Sequence, residues 1–400
     1  MSPSVSRGVV VTPQADRERF TVRILRASGD VPAGVGFLVN GRQLISCAHV
    51  INTALGRGPR AQERPSAGEV IRVRFPLLEG EQTTIRTARL ASWSPPPAGG
   101  VFGGDVAGLL LDEAPPPAAT YARFLRQEAN WGREVYLYGF PGDPPRRERG
   151  SWTTGTLRGR VGPGVLQIDK ATESALRAQP GYSGAPVVVV NGRYGDRVTG
   201  MLAVAAADSD IKDAYALSVY HLSECWPQAL MLASHPDAHP DAQQFFRRRL
   251  EYVLRAAPAG CSLTFPEQIS DEQWFRCRHK LSLGVAKDDV LALWGDIGSF
   301  KVGVAMAFLR HSVVLRYGET VSVPYADLPD YEVAESYRSS QTYGRRYRGV
   351  KLVRGQVSHG AWPWFRGSDG WKEQNARKGM VTLMRQVTSL MAGEDATGFG

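Results

Sequence analysis

Residues 179–190 read QPGYSGAPVVVV. A serine, Ser183, stands among glycines in Gly181-Tyr182-Ser183-Gly184, and Pro186 and a valine run follow. Glycine and serine are ordinary turn formers, so the tetrad by itself reads as a turn leading into a strand. The same turn would also hold a serine hydroxyl at a strand end, where a nucleophile has to stand. A hydroxyl attacks only when a neighbouring base removes its proton, so the choice between the two readings rests on residues elsewhere in the chain.

Two histidines, His49 and His221, fall in the strand-rich stretch around this turn. His49 stands near the end of LISCAHV, read as the second strand of a hairpin that turns at Asn40-Gly41. Taken singly it reads as a packed core histidine. Asp105 opens DVAGLLL after two glycines, and a carboxylate entering an apolar strand is costly to bury without a partner. Taken singly it reads as a turn residue at a strand start. Together the three weigh more, because they occur in the order His, Asp, Ser and each lies beside an apolar strand. The chemistry explains each residue type. Imidazole titrates near neutral pH, so His49 is the candidate general base and acid. Asp105 is the candidate that fixes its tautomer, and the amides of Gly181 and Ser183 are the candidate oxyanion donors.

These motifs, GVGFLV with LISCAHV, DVAGLLL and PGYSGAPVV, resemble the histidine, aspartate and serine motifs of trypsin-like serine peptidases over residues 20–225. The likeness is nearest to the disulfide-free bacterial branch that includes the high-temperature-requirement proteases. It implies a chymotrypsin-like fold of two orthogonal six-stranded β-barrels, a catalytic triad of His49, Asp105 and Ser183, and an acyl-enzyme. It also implies that Arg177, six residues before Ser183, lies at the floor of the primary specificity pocket. A guanidinium there favours an acidic residue before the scissile bond. The competing reading is a small apolar pocket lined by Ala203, Ala205, Ala214 and Ala216. Three positions depart from the family pattern. Val50 follows His49 where secreted trypsins carry a cysteine, Tyr182 replaces the aspartate that receives a freed N-terminal amine, and Gly108 interrupts a strand.

The rest of the chain is organised around this unit. With 400 residues, 43% hydrophobic and 22% charged, the sequence is an ordinary globular one of more than one domain. The N-terminal MSPSVSRGVVVTPQADRERF lacks a secretory apolar core, and no stretch reaches membrane-spanning length. Cys47, Cys225, Cys261 and Cys277 have no metal-type spacing, so a reducing, cytoplasmic setting is expected, with no metal, cofactor or membrane partner. The expected division is a mainly β peptidase domain at 1–226, a linker with one helix at 227–269, and a C-terminal α+β domain at 270–400. The linker helix, Asp241 to Ala256, carries Phe245, Phe246, Leu250 and Leu254, whose nearest cover is the barrels. Met380, Leu383, Met384, Val387, Leu390 and Met391 recur at helical spacing, so the closing element is an amphipathic helix. Strands capped by such a helix are similar in outline to pleckstrin-homology-like domains.

Weaker signals have plain readings. HPDAHPDA (His235, Asp237, His239, Asp241) reads as a polar linker with a helix cap rather than a metal site. The stretch from Tyr343 through Arg345, Arg346, Tyr347, Arg348 and Lys351 to Arg354 is basic, but reads as a solvated loop and edge strand rather than a nucleic-acid surface. Two functions from different classes fit. One is an intracellular serine endopeptidase, regulated by its C-terminal domain or an activating protein partner, acting on protein substrates in a bacterial stress or defence pathway. The other is a silent peptidase-fold scaffold that binds protein or nucleic acid through its basic C-terminal domain.

Overall fold

The computed structural model describes residues 16–393 apart from 79–83, 99–102, 127–130, 143–144, 146–148, 171–177, 191–194, 206–212, 259–260, 262, 296, 298–303, 318, 340–345 and 362–369. A short helix α1 (Asp16–Phe20) leads into the first barrel. Its strands are β1 (Thr21–Leu25), β2 (Pro32–Asn40), β3 (Gln43–Ser46), β4 (Ile71–Arg74), β5 (Arg86–Ser94) and β6 (Val106–Leu111). They close in the order β1-β2-β3-β6-β5-β4, every pair antiparallel. The second barrel is β7 (Glu134–Gly139), β8 (Ser151–Gly162), β9 (Val165–Lys170), β10 (Pro186–Val190), β11 (Asp196–Ala205) and β12 (Asp213–Ser218). It closes in the order β10-β11-β12-β9-β8-β7. Closure leaves neither barrel an unpaired edge strand, which removes the usual route to edge-to-edge aggregation.

Alternation fills the barrels. Val22, Ile24, Phe37, Leu44 and Leu109 lie in the first core, and Val135, Leu137, Leu157, Leu166, Ile168 and Val187 in the second. The expected second hairpin strand is shorter than the apolar run suggests. β3 ends at Ser46, and Ala48–Ala54 is a helix, α2. His49 therefore sits in the first turn of a helix, not on a strand. Gly108 is explained by packing: a Cβ there would lie 2.6 Å from the indole ring of Trp226, whose side chain lies over β6.

The chain leaves the barrels through α3 (Val219–Cys225) and α4 (Leu230–Ala233), then α5 (Pro240–Arg255) and α6 (Asp271–Lys280). Strands β13 (Leu263–Thr264), β14 (Val290–Trp294), β15 (Met306–Leu309), β16 (Ser312–Tyr317) and β17 (Glu319–Pro324) form one antiparallel sheet. A second sheet holds β18 (Glu332–Ser339), β19 (Arg346–Arg354) and β20 (Val357–Ala361), and α7 (Gly370–Ala392) closes the region. The apolar stripe of α7 is buried as its spacing requires, with Met380, Leu383, Met384, Val387 and Met391 in one core with Trp294 and Phe308. α5 joins that same core through Phe246, Leu250 and Leu254, while Phe245 is exposed. Its apolar face is thus covered by the C-terminal region rather than by the barrels; the Phe246 and Tyr325 rings are 5.4 Å apart. Among the described residues no helix is long and apolar enough to cross a membrane.

The C-terminal region meets the barrels at named contacts. Arg123, on the connection between the barrels, donates to Ala326 O and pairs with Asp330. The end of α7 lies against the β2–β3 turn, where a Cβ on Gly41 would lie 2.8 Å from Ala392 O.

Candidate active site

The helix that carries His49 begins without a side-chain cap of its own: Cys47 occupies the N-cap position and no acidic residue lies in the first turn. The first amides of a helix need acceptors from outside it. Asp105 supplies one from the residue just before β6. Its Oδ1 accepts the His49 backbone N–H at 2.9 Å, and its Oδ2 lies 2.7 Å from His49 Nδ1. One carboxylate therefore holds both the backbone and the ring of His49, which fixes Nδ1 as the protonated nitrogen and leaves Nε2 as the basic one.

Asp105 is itself pinned. Its side chain is only 8% exposed, and its backbone takes φ 58°, a left-handed conformation that aspartate tolerates better than most residues. Its N–H donates to Pro95 O at 2.8 Å. The preceding carbonyl, Gly104 O, accepts from His221 Nε2 at 2.9 Å. His221 is buried, so the second histidine of the barrel region acts on the backbone beside Asp105. No local sequence signal marks this role, because the partner of His221 lies 117 residues away.

The serine turn is built from backbone geometry. Gly181 has φ 106° and Gly184 has φ 83°, both in the region that penalises a Cβ. There is also no room for one: it would lie 2.2 Å from Phe140 O at position 181 and 1.9 Å from Val35 O at position 184. The turn is tied to both barrels. Ser183 O accepts the Val35 N–H of β2 at 2.9 Å, and Gly184 N–H donates to Leu202 O of β11 at 2.8 Å. Tyr182 is fully buried, its ring against Gly139.

Gly34 marks where the two halves meet. A Cβ there would lie 2.7 Å from the Val50 side chain and 3.0 Å from Ser183 O. The helix of His49 and the turn of Ser183 thus press on the same glycine, with both candidate side chains half-buried. Among the described residues, His49 Nε2 and Ser183 Oγ have no hydrogen-bond partner, and neither do the amides of Gly181 and Ser183. Such groups are the ones a substrate engages, and catalytic hydrogen bonds commonly close only on binding.

Cys47, His49 and Asp105 bring one potential ligand atom each within 4.8 Å of one another. Cys47 is a poor metal ligand in this setting. Its thiol is fully buried and donates to Leu202 O at 3.4 Å, and burial first, then the Asp105 carboxylate, pushes its pKa well up. A metal requires the thiolate, which this environment disfavours.

The remaining sequence candidates are dispersed. Arg177 lies outside the described residues. Ala203 is buried with Met201 and Leu217 in the first core cluster, and Ala214 and Ala216 lie in the second barrel core. Ala205 pairs with Ala214 across β11 and β12. His239 caps α5, its Nδ1 accepting the Asp241 N–H, and buried His235 accepts the Asp237 N–H in the same way. Arg346–Arg354 is strand β19, and Tyr343 and Arg345 lie outside the described residues.

Two closed six-stranded antiparallel barrels, with a histidine–aspartate pair on one and a glycine-framed serine turn on the other, define a double-barrel peptidase architecture. Residues 34–201 match the family model described as the trypsin-like peptidase domain, and the chain carries such a domain there. The matched segment contains His49, Asp105 and Ser183. β1 and β12 fall outside it yet complete the two barrels. No curated protein sequence matches the chain.

Proposed function

We propose that the domain is a serine endopeptidase in which Ser183 is the nucleophile, His49 the general base and acid, and Asp105 the residue that orients His49. The observation that carries this reading is the two-point hold of Asp105 on His49, 2.9 Å to its amide and 2.7 Å to its ring. In the first half-reaction His49 Nε2 takes the Ser183 hydroxyl proton as Oγ bonds to the scissile carbonyl carbon. The carbonyl oxygen becomes an oxyanion that the Gly181 and Ser183 amides stabilise, each donor contributing about 3 kcal/mol. His49 then returns the proton to the leaving amine, the C–N bond breaks, and the acyl group stays on Ser183. Water, deprotonated by the same nitrogen, releases the acid and regenerates the hydroxyl. Family membership of the domain implies protein substrates.

The C-terminal region is the proposed regulator. Tyr182 stands where an N-terminal amine would need an aspartate, and the region touches the barrels at Arg123 and Gly41. The test of the catalytic reading is cleavage of an unfolded protein substrate by the purified chain and by its Ser183→Ala variant. Cleavage confined to the wild type supports it. Equal cleavage by the variant overturns it.

A further inference from the structure

Between the barrels and the C-terminal region lies a cleft of about 340 Å³ that the catalytic reading does not use. The barrel side contributes Arg19 of α1, Thr120 and Arg123 of the connecting segment, and Asp196 and Arg197 of β11. The C-terminal region contributes Asp330 and Arg354. Four guanidinium groups thus face two carboxylates, and the carboxylates are already engaged. Asp196 pairs with Arg17 at 3.1 Å, and Asp330 pairs with Arg123 and, at 3.5 Å, with Arg354.

Arg197 is the group without an account. It is 7% exposed, and its one hydrogen bond among the described residues runs to the neutral carbonyl of Asp196 at 3.1 Å. No carboxylate among those residues pairs with it. A buried guanidinium has five N–H donors and costs several kcal/mol of solvation, which proteins normally offset with an anion. Burial above all lowers its pKa; the Asp327 and Asp330 carboxylates oppose this from a distance, and the like charges of Arg123 and Arg354 add to the lowering. An independent orphan lies in the same wall: Thr120 Oγ1 is buried and has no hydrogen-bond partner.

We propose that this cleft binds a small phosphate-bearing molecule, with the Arg197 guanidinium and the Thr120 hydroxyl on its phosphate and Arg19 and Arg354 at the rim. Several guanidinium forks and a hydroxyl suit a tetrahedral oxyanion with three or more acceptors better than a single carboxylate. The volume lies in the range of small-ligand pockets and leaves room beyond one phosphate for the rest of such a molecule. The position gives the site consequence. Arg197 is the second residue of β11, whose Leu202 carbonyl accepts the Gly184 amide, and both halves of the chain line the cleft.

Isothermal titration of the full chain with pyrophosphate, at ionic strength held constant with chloride, tests this without reference to peptidase activity. The expected result is saturable binding of one pyrophosphate per chain. Arg354→Gln and Arg19→Gln, both on partly exposed side chains, are each expected to weaken it by about tenfold or more. Circular dichroism of both variants checks that the fold is kept. No saturable heat beyond the chloride control, or unchanged affinity in either folded variant, overturns the proposal.

Discussion

The two barrels share a closed six-stranded topology but hold their parts of the candidate site by different physics. In the first barrel the parts are side chains: Asp105 grips His49 at two points, and buried His221 steadies the peptide before Asp105. In the second barrel the part is a piece of backbone, framed by Gly181 and Gly184 at positive φ with carbonyl oxygens where any Cβ would go. The difference separates chemistry from shape. On this account the His49 ring is expected to be exchangeable with the fold intact, whereas a Cβ in the turn is expected to cost stability and function together.

The largest expected effect sharpens this contrast. His49→Ala is expected to lower turnover by up to about six decades. Asp105→Asn is expected to lower it by about four, since the wrong tautomer is then favoured. Steady-state kinetics on a peptide substrate reads the loss, and the melting temperature of His49→Ala is expected to match the wild type. If His49→Ala unfolds the chain, the separation of chemistry from shape fails in the first barrel.

Gly184→Ala probes the other barrel. The methyl group would meet Val35 O at 1.9 Å on a residue already at φ 83°, so roughly 3 kcal/mol or more of stability should be lost along with activity. Denaturant melts measure it. Wild-type stability in this variant would mean that the turn is not held as described.

How much of this was legible in the sequence follows the same division. The double-barrel fold could be read because the motifs around His49, Asp105 and Ser183 stand in the order of the trypsin-like peptidases; the roles of the three residues are our proposal. The stripe of α7 could be read because Met380 to Met391 repeat at helical spacing, a local property. What escaped depends on distant partners. His49 reads onto a strand because ISCAHV is mostly apolar; the acceptor that holds its amide at the helix start comes from Asp105, 56 residues on. The apolar face of α5 was visible, but not that Tyr325 and the C-terminal core would cover it. Arg197 and Thr120 gave no signal, since each is ordinary until the fold buries it.

A pH effect should fall outside both barrels. Burial lowers the pKa of His235 from 6.5 to about 4 and that of His311 in the same direction. The unfolded chain binds the extra proton first, so this stability is full above about pH 6.5 and is lost as pH falls toward 4. The loss for His235 amounts to as much as about 3 kcal/mol, read by urea melts between pH 7 and 4.5. A flat profile over that window would mean that these histidines are solvated.

The smallest expected effect is Gly108→Ala, which must displace the Trp226 ring from 2.6 Å and should cost about 1–3 kcal/mol while leaving turnover near wild type. A marked fall in turnover instead would show that the first barrel, too, couples shape to chemistry.

The central claim is that Ser183 is activated by His49. The most direct measurement is mass spectrometry of the full chain after incubation with a fluorophosphonate probe, which bonds only to an activated hydroxyl. One label is expected, on the peptide containing Ser183, and none in His49→Ala. No labelling of the wild type, or a label that persists at Ser183 without His49, would contradict it.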